Sequence, residues 1–157
     1  MRFVLPIIVV CLLAVVIISS HTNERTVLAE SKDTQSTKEV AVEDDMHEFM
    51  EYVFQPPYKR LKAALASEPA DKNAWKIIKS DSLILAESAN LLLSRLPDED
   101  GNDWISHAIA VRSGGSDVYQ AAKKRDYGAT RSSFGSMLTK CNACHQQFED
   151  GKHILTP

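Results

Sequence analysis

The sequence predicts an all-α protein, an antiparallel four-helix bundle, and three observations carry that expectation. Apolar residues recur at three- and four-residue intervals in four successive stretches. Short polar or proline-containing turns separate the stretches, as they do between antiparallel neighbours in bundles. Beyond residue 39 no stretch shows the two-residue alternation of a half-buried strand.

The first pattern starts near Glu39, with Val42, Met46, Phe49, Met50, Val53 and Phe54 on one face. Pro56-Pro57 is expected to interrupt it, because proline lacks the amide proton and restricts the residue before it. Tyr58, Leu61 and Leu65 then resume a short helix to about Ser67. The second helix is expected over Ala70–Leu96, with Trp75, Ile78, Leu85, Ala89, Leu92, Leu93 and Leu96 forming its stripe. Pro97 stops it, and residues 97–102 read as a polar turn. The third helix starts from Asn102 or Asp103 as its cap and buries Trp104, Ala108, Val111, Val118 and Ala122. Gly114-Gly115 falls inside it, at about 1 kcal/mol per glycine relative to alanine. The pair bends the helix, splits it, or admits the close approach of another backbone or a bound group. The fourth helix spans Tyr127–Phe148, where Phe134, Leu138, Cys141, His145 and Phe148 share the core-facing side.

At 157 residues there is room for one domain and a targeting segment, and a net charge of −3 does not favour a nucleic-acid partner. Met1-Arg2, the apolar run Phe3 to Ile18 and the polar Ser19-Ser20-His21 have the layout of a secretory signal. Residues 1–20 are therefore a signal peptide cut after Ser20, or an uncleaved anchor that tethers the protein to a membrane through residues 3–18. Cys11 is a passenger in this run. Residues 21–38, rich in Ser, Thr, Glu, Lys and Asp, read as a solvated linker, which leaves 39–157 as the folded domain.

Near the C-terminus stands Cys141-Asn142-Ala143-Cys144-His145, the attachment sequence for one covalently bound haem c. On a helix the two thiols point from nearly the same face and can add to the two vinyl groups along one porphyrin edge. His145 follows at once and can turn its imidazole under the ring as the proximal iron ligand. A structural zinc site would want four well-separated ligands, and the only later histidine is His153. A thioredoxin-like redox pair would need a βαβ pattern around it. A chance match on a buried helix is the remaining reading.

With the motif on the last of four helices, residues 39–151 resemble the class II c-type cytochromes, the cytochrome c′-like group. Cys141, Cys144, His145 and the aromatic Phe148 carry the resemblance. The chain departs from the family's pattern at Glu149 and Asn142, where basic residues are usual or frequent, and at Glu43, where a basic partner for the haem propionates is common. The resemblance implies haem attachment outside the cytoplasm, hence a periplasmic protein, and a first helix that supplies the distal residue. Counting back from Leu61-Lys62, this points to His47 as distal ligand, with Met46 and Met50 as alternates and an open distal face as the third option. Met46 and Met50 also suit the apolar stripe, where methionine fills cores.

Filled axial positions imply a monohaem carrier of single electrons that serves redox partner proteins. An open or displaceable distal site implies instead a gas-binding protein for NO or CO. No distal acid–base pair suggests an enzyme. His107 reads as a surface or satisfied core histidine, and His21 and His153 as residues of the flexible ends. Lys123-Lys124-Arg125 with Arg131, and Asp98-Glu99-Asp100, read as solvated turns. Homodimerisation through the first two helices, using Tyr52, Trp75 or the leucines, is a further expectation from the family.

Overall fold

The computed structural model describes residues 40–157, so the leader and most of the linker lie outside the described residues. All regular structure within them is helical, and no strand occurs among them. The elements are α1 (Met46–Phe49), a π-helical segment (Met50–Phe54), α2 (Gln55–Ala64), α3 (Lys72–Leu92), α4 (Gly101–Lys124) and α5 (Tyr127–Phe148). The first three run on without a break, so the described residues form four helical rods, compatible with the expected bundle.

The first rod differs from expectation at both its start and its middle. It begins at Met46 rather than near Glu39, because Val40 and Val42 stand in solvent and Asp45 stops the helix there. The Asp45 carboxylate accepts the Glu48 amide at 3.0 Å, a cap that contributes about 1 kcal/mol. Pro56-Pro57 does not interrupt the rod. In an α-helix the two rings would strike the carbonyls of Tyr52 and Val53, four residues earlier. Those carbonyls lie in the π-helical segment, where wider turns carry them off the α-helical path. The prolines then occupy the first turn of α2, where missing amide protons cost little.

α3 starts after Asp71, whose carboxylate accepts the Ala74 amide at 2.8 Å. It ends at Leu92, before the expected Leu96, because side chains take its last carbonyls. Trp104 Nε1 donates to Leu92 O at 2.8 Å and Arg95 Nη1 to Leu91 O at 2.9 Å. The cap of α4 is Asp100, in left-handed conformation at φ 57°, rather than Asn102 or Asp103. α4 runs unbroken through Gly114-Gly115, and both glycines are buried by close backbone approach. A Cβ on Gly115 would meet the Ala86 backbone at 2.9 Å, and one on Gly114 would meet Met137 at 3.1 Å. Only Arg125 and Asp126 separate α4 from α5, which spans the expected residues.

α3, α4 and α5 pack extensively in sequence, and α2 packs on α3. The first and last rods do not close on each other: no Cα of α1, the π-helical segment or α2 lies within 8 Å of one in α5. Large side chains bridge the far end of that gap, where Tyr58 stacks near Phe134 and Tyr127 Oη donates to Leu65 O at 3.1 Å. The core accordingly forms two clusters. One, around Leu61, Ile78, Val118 and Phe134, fills the end near the α4–α5 turn. A smaller one, Phe49, Leu92, Trp104 and Ala108, lies at the end where α1 begins and α5 finishes.

Candidate functional site

The gap between the first and last rods is a cavity of about 360 Å³, at the lower end of the range typical of ligand pockets. Leu85, Val111, Met137 and Leu138 form its apolar side. Cys141 and His145 reach it from α5, and His47, Met50, Glu51 and Phe54 from the first rod. The π-helical segment thus contributes three of the residues facing the last helix. Met46 does not line the cavity and packs instead against the cluster around Phe49.

The histidine of the motif is held in one tautomer. His145 Nδ1 lies 2.6 Å from the backbone carbonyl of His153. A carbonyl oxygen only accepts, so Nδ1 carries the proton and donates, which leaves the Nε2 lone pair free. Metal-binding histidines characteristically carry this arrangement, with one ring nitrogen tied to a carbonyl or carboxylate and the other directed to the metal. His47 is less firmly held: its side chain is 67% exposed, and its Nε2 lies 3.6 Å from the Glu51 carboxylate.

Both motif cysteines are free thiols. Burial, then the neighbouring Cys144, pushes the Cys141 thiol up to about 12. Burial, then Glu149, pushes Cys144 up to about 11. Redox-active CxxC pairs are instead acidified, commonly by a helix N-terminus. This pair sits near the C-terminal end of α5, where the helix dipole disfavours a thiolate. No group of three or more Cys, His, Asp or Glu among the described residues could hold a metal ion, so a protein-only zinc site has no ligand set there. Thiols and one oriented imidazole are donors that suit a metal carried in its own macrocycle; of the two thiols, Cys141 lines the cavity and Cys144 does not.

His153, expected in a flexible end, brings its main-chain carbonyl to the site, a role its sequence position did not announce. Asp150 and Gly151 take left-handed conformations, φ 51° and 70°, and turn the chain back toward the cavity. The returning tail is fastened at several points. Asn142 and Leu155 bond reciprocally, Nδ2 to O at 2.9 Å and N to Oδ1 at 2.8 Å. Tyr58 Oη donates to Thr156 O at 2.8 Å and accepts the Thr156 amide at 3.2 Å. The His153 ring lies 6.0 Å from that of His47 and 6.4 Å from that of His145, centroid to centroid. The signal available in the sequence was the glycine past the helix end followed by the apolar pair Ile154-Leu155.

Phe148 packs edge-on against Trp104 at 5.1 Å and anchors the end of α5. His107 is a satisfied surface histidine, 2.9 Å from Gln147 Oε1. Asn142, between the cysteines, holds the tail. Glu43 accepts the Asp45 amide at 2.8 Å, ahead of the first rod. Trp75 is buried in the larger cluster, which takes it out of any dimer surface, whereas Tyr52 is exposed. No helix among the described residues is long and apolar enough to cross a membrane. Comparison of the chain with protein-family models, curated proteins and solved structures found no match.

Proposed function

We propose that the protein is a monohaem c-type cytochrome of the class II, cytochrome c′-like kind, in an antiparallel four-helix arrangement, and that it carries single electrons in the periplasm. The observation that supports this most is the combination at one cavity. Cys141 and His145 of the CxxCH motif face the gap between first and last rods, and the histidine has Nδ1 tied to a carbonyl with Nε2 free. In this reading Cys141 and Cys144 tether the haem, His145 Nε2 is the proximal donor, and His47 or Met50 is the distal one. Met46 is the weaker alternate, because it packs away from the cavity.

Haem c, when bound, supplies a one-electron couple whose potential follows its axial ligands and surroundings. The chain's own residues do the rest. Leu85, Val111, Met137 and Leu138 keep water from the buried side, and the tail covers the outer side. Residues 1–20 direct export, after which the domain meets its redox partners either free or tethered through residues 3–18.

One observation favours a second reading, a gas-binding protein for NO or CO. His47 is mostly exposed, and its contact to Glu51 is a surface interaction that contributes about 0–1 kcal/mol. A distal ligand held so weakly is displaceable. The optical spectrum of the reduced protein separates the two. A low-spin spectrum unchanged by CO is expected for the carrier, with His47→Ala converting it to high spin. A spectrum that CO shifts at once would favour the gas-binding reading. If neither His47→Ala nor Met50→Ala changes the spin state, the distal ligand does not come from this segment.

A further inference from the structure

We infer that the C-terminal tail, residues 152–157, is a clamp that positions the proximal histidine, and that it acts through the main-chain carbonyl of His153 rather than through the His153 imidazole. The inference rests on the haem reading above and adds to it a source for the orientation of His145.

Three features carry it. Among the described residues the carbonyl is the only hydrogen-bond partner of the His145 ring, at 2.6 Å, and it dictates which nitrogen carries the proton. It is held from both sides along the chain. Upstream, the Gly151 amide donates to His145 O at 3.0 Å, and a Cβ at Gly151 would come within 2.7 Å of Gln146 Oε1. Downstream, Leu155 and Thr156 are bound by Asn142, Tyr58 and Lys62, with Lys62 Nζ reaching Thr156 Oγ1 at 2.7 Å. Finally, the tail is fastened to both α5 and α2, the rods whose backbones stay apart. It therefore fixes the width of the cavity and the orientation of the imidazole together.

A hydrogen bond from Nδ1 makes the imidazole a stronger donor, and outer partners of this kind commonly alter metal affinity by about 10–100-fold. A stronger donor stabilises the oxidised iron and holds the potential down. Releasing the clamp therefore raises it.

The test uses the full-length holoprotein. Tyr58→Phe with Asn142→Leu removes the reciprocal anchors of the tail, while His153→Ala keeps the carbonyl and removes the ring. The double variant is expected to shift the reduction equilibrium about tenfold toward the reduced form, about 59 mV for one electron. By NMR, the His145 ring N–H is expected to exchange slowly in the unmodified protein and rapidly in the double variant. His153→Ala should leave the potential, the spin state and the slow proton where they were. Because Asn142 lies between the cysteines, Tyr58→Phe with Lys62→Met provides a second release that leaves the motif intact. The proposal is overturned if both released variants keep the original potential and ring-proton exchange. It is equally overturned if His153→Ala changes the spin state, which would make that imidazole itself a ligand. Absence of covalent haem from the unmodified protein is a separate result, which would refute the proposed function.

Discussion

The two ends of the molecule are built on opposite principles. At the end near the α4–α5 turn, Leu61, Ile78, Val118 and Phe134 are essentially excluded from solvent, and aromatic side chains close the gap between first and last rods. At the other end the same rods are held apart, and the space between them carries cysteine and histidine. The second core there is small, and the first rod switches to π-helical winding where it faces the space. Close packing maximises burial and dispersion. A cavity gives up both, and folded proteins keep few that could be filled. Stability is thus concentrated at one end, and the other is free to hold a group that is not part of the polypeptide.

That contrast can be broken by mutation. The largest effect is expected at the closed end: Phe134→Ala removes a ring that is 1% exposed and should cost about 3–5 kcal/mol in urea unfolding. Met50→Ala, at the cavity, should cost about 1 kcal/mol in the haem-free chain, below the range for buried methionine, because its side chain is only partly enclosed. Equal losses would show that the two ends are not different in kind. Next comes Gly115→Ala, which forces a methyl against the Ala86 backbone; overpacking of this sort costs about 1–3 kcal/mol, visible as a lower urea midpoint.

Arg60→Ala strands the buried Asp81 carboxylate, which Arg60 now meets bidentately at 2.7–3.1 Å. The expected loss is about 2 kcal/mol, less than for a fully buried pair because half of Arg60 lies in water. The remaining effect is one of pH and belongs to the cavity end. Burial raises the Cys141 thiol from its ordinary value near 9 to about 12, so the folded haem-free chain prefers the protonated form. This contribution is fully present below pH 9 and is lost as pH rises toward 12. Urea titrations of the haem-free protein should show that alkaline loss, and Cys141→Ala should show less of it.

Much of the closed end was legible in the sequence. Trp75, Ile78, Val118 and Phe134 are all buried as their spacing predicts, since α-helical periodicity holds through α3, α4 and α5. The cavity end was harder to read, for physical reasons. Counting back from Leu61-Lys62 to the distal residue assumes 3.6 residues per turn, and each residue of error rotates a side chain by about 100°. The π-helical segment lies across that count, so the α-helical pattern could not separate Met46 from Met50 or His47. The place of His153 depended on two left-handed residues, of which only Gly151 announces itself by type. The close approach at Gly114-Gly115 was among the expected alternatives, but only the positions of Ala86 and Met137 select it.

The proposed haem is bonded covalently to Cys141 and Cys144, and intact-protein mass spectrometry can weigh that bond. The full chain is produced in a host that matures c-type cytochromes, then denatured and extracted with acidified acetone before weighing. A mass raised by one haem, with the colour remaining on the polypeptide, is the predicted result. A mass equal to that of the bare chain, or colour lost to the solvent, would refute covalent haem attachment.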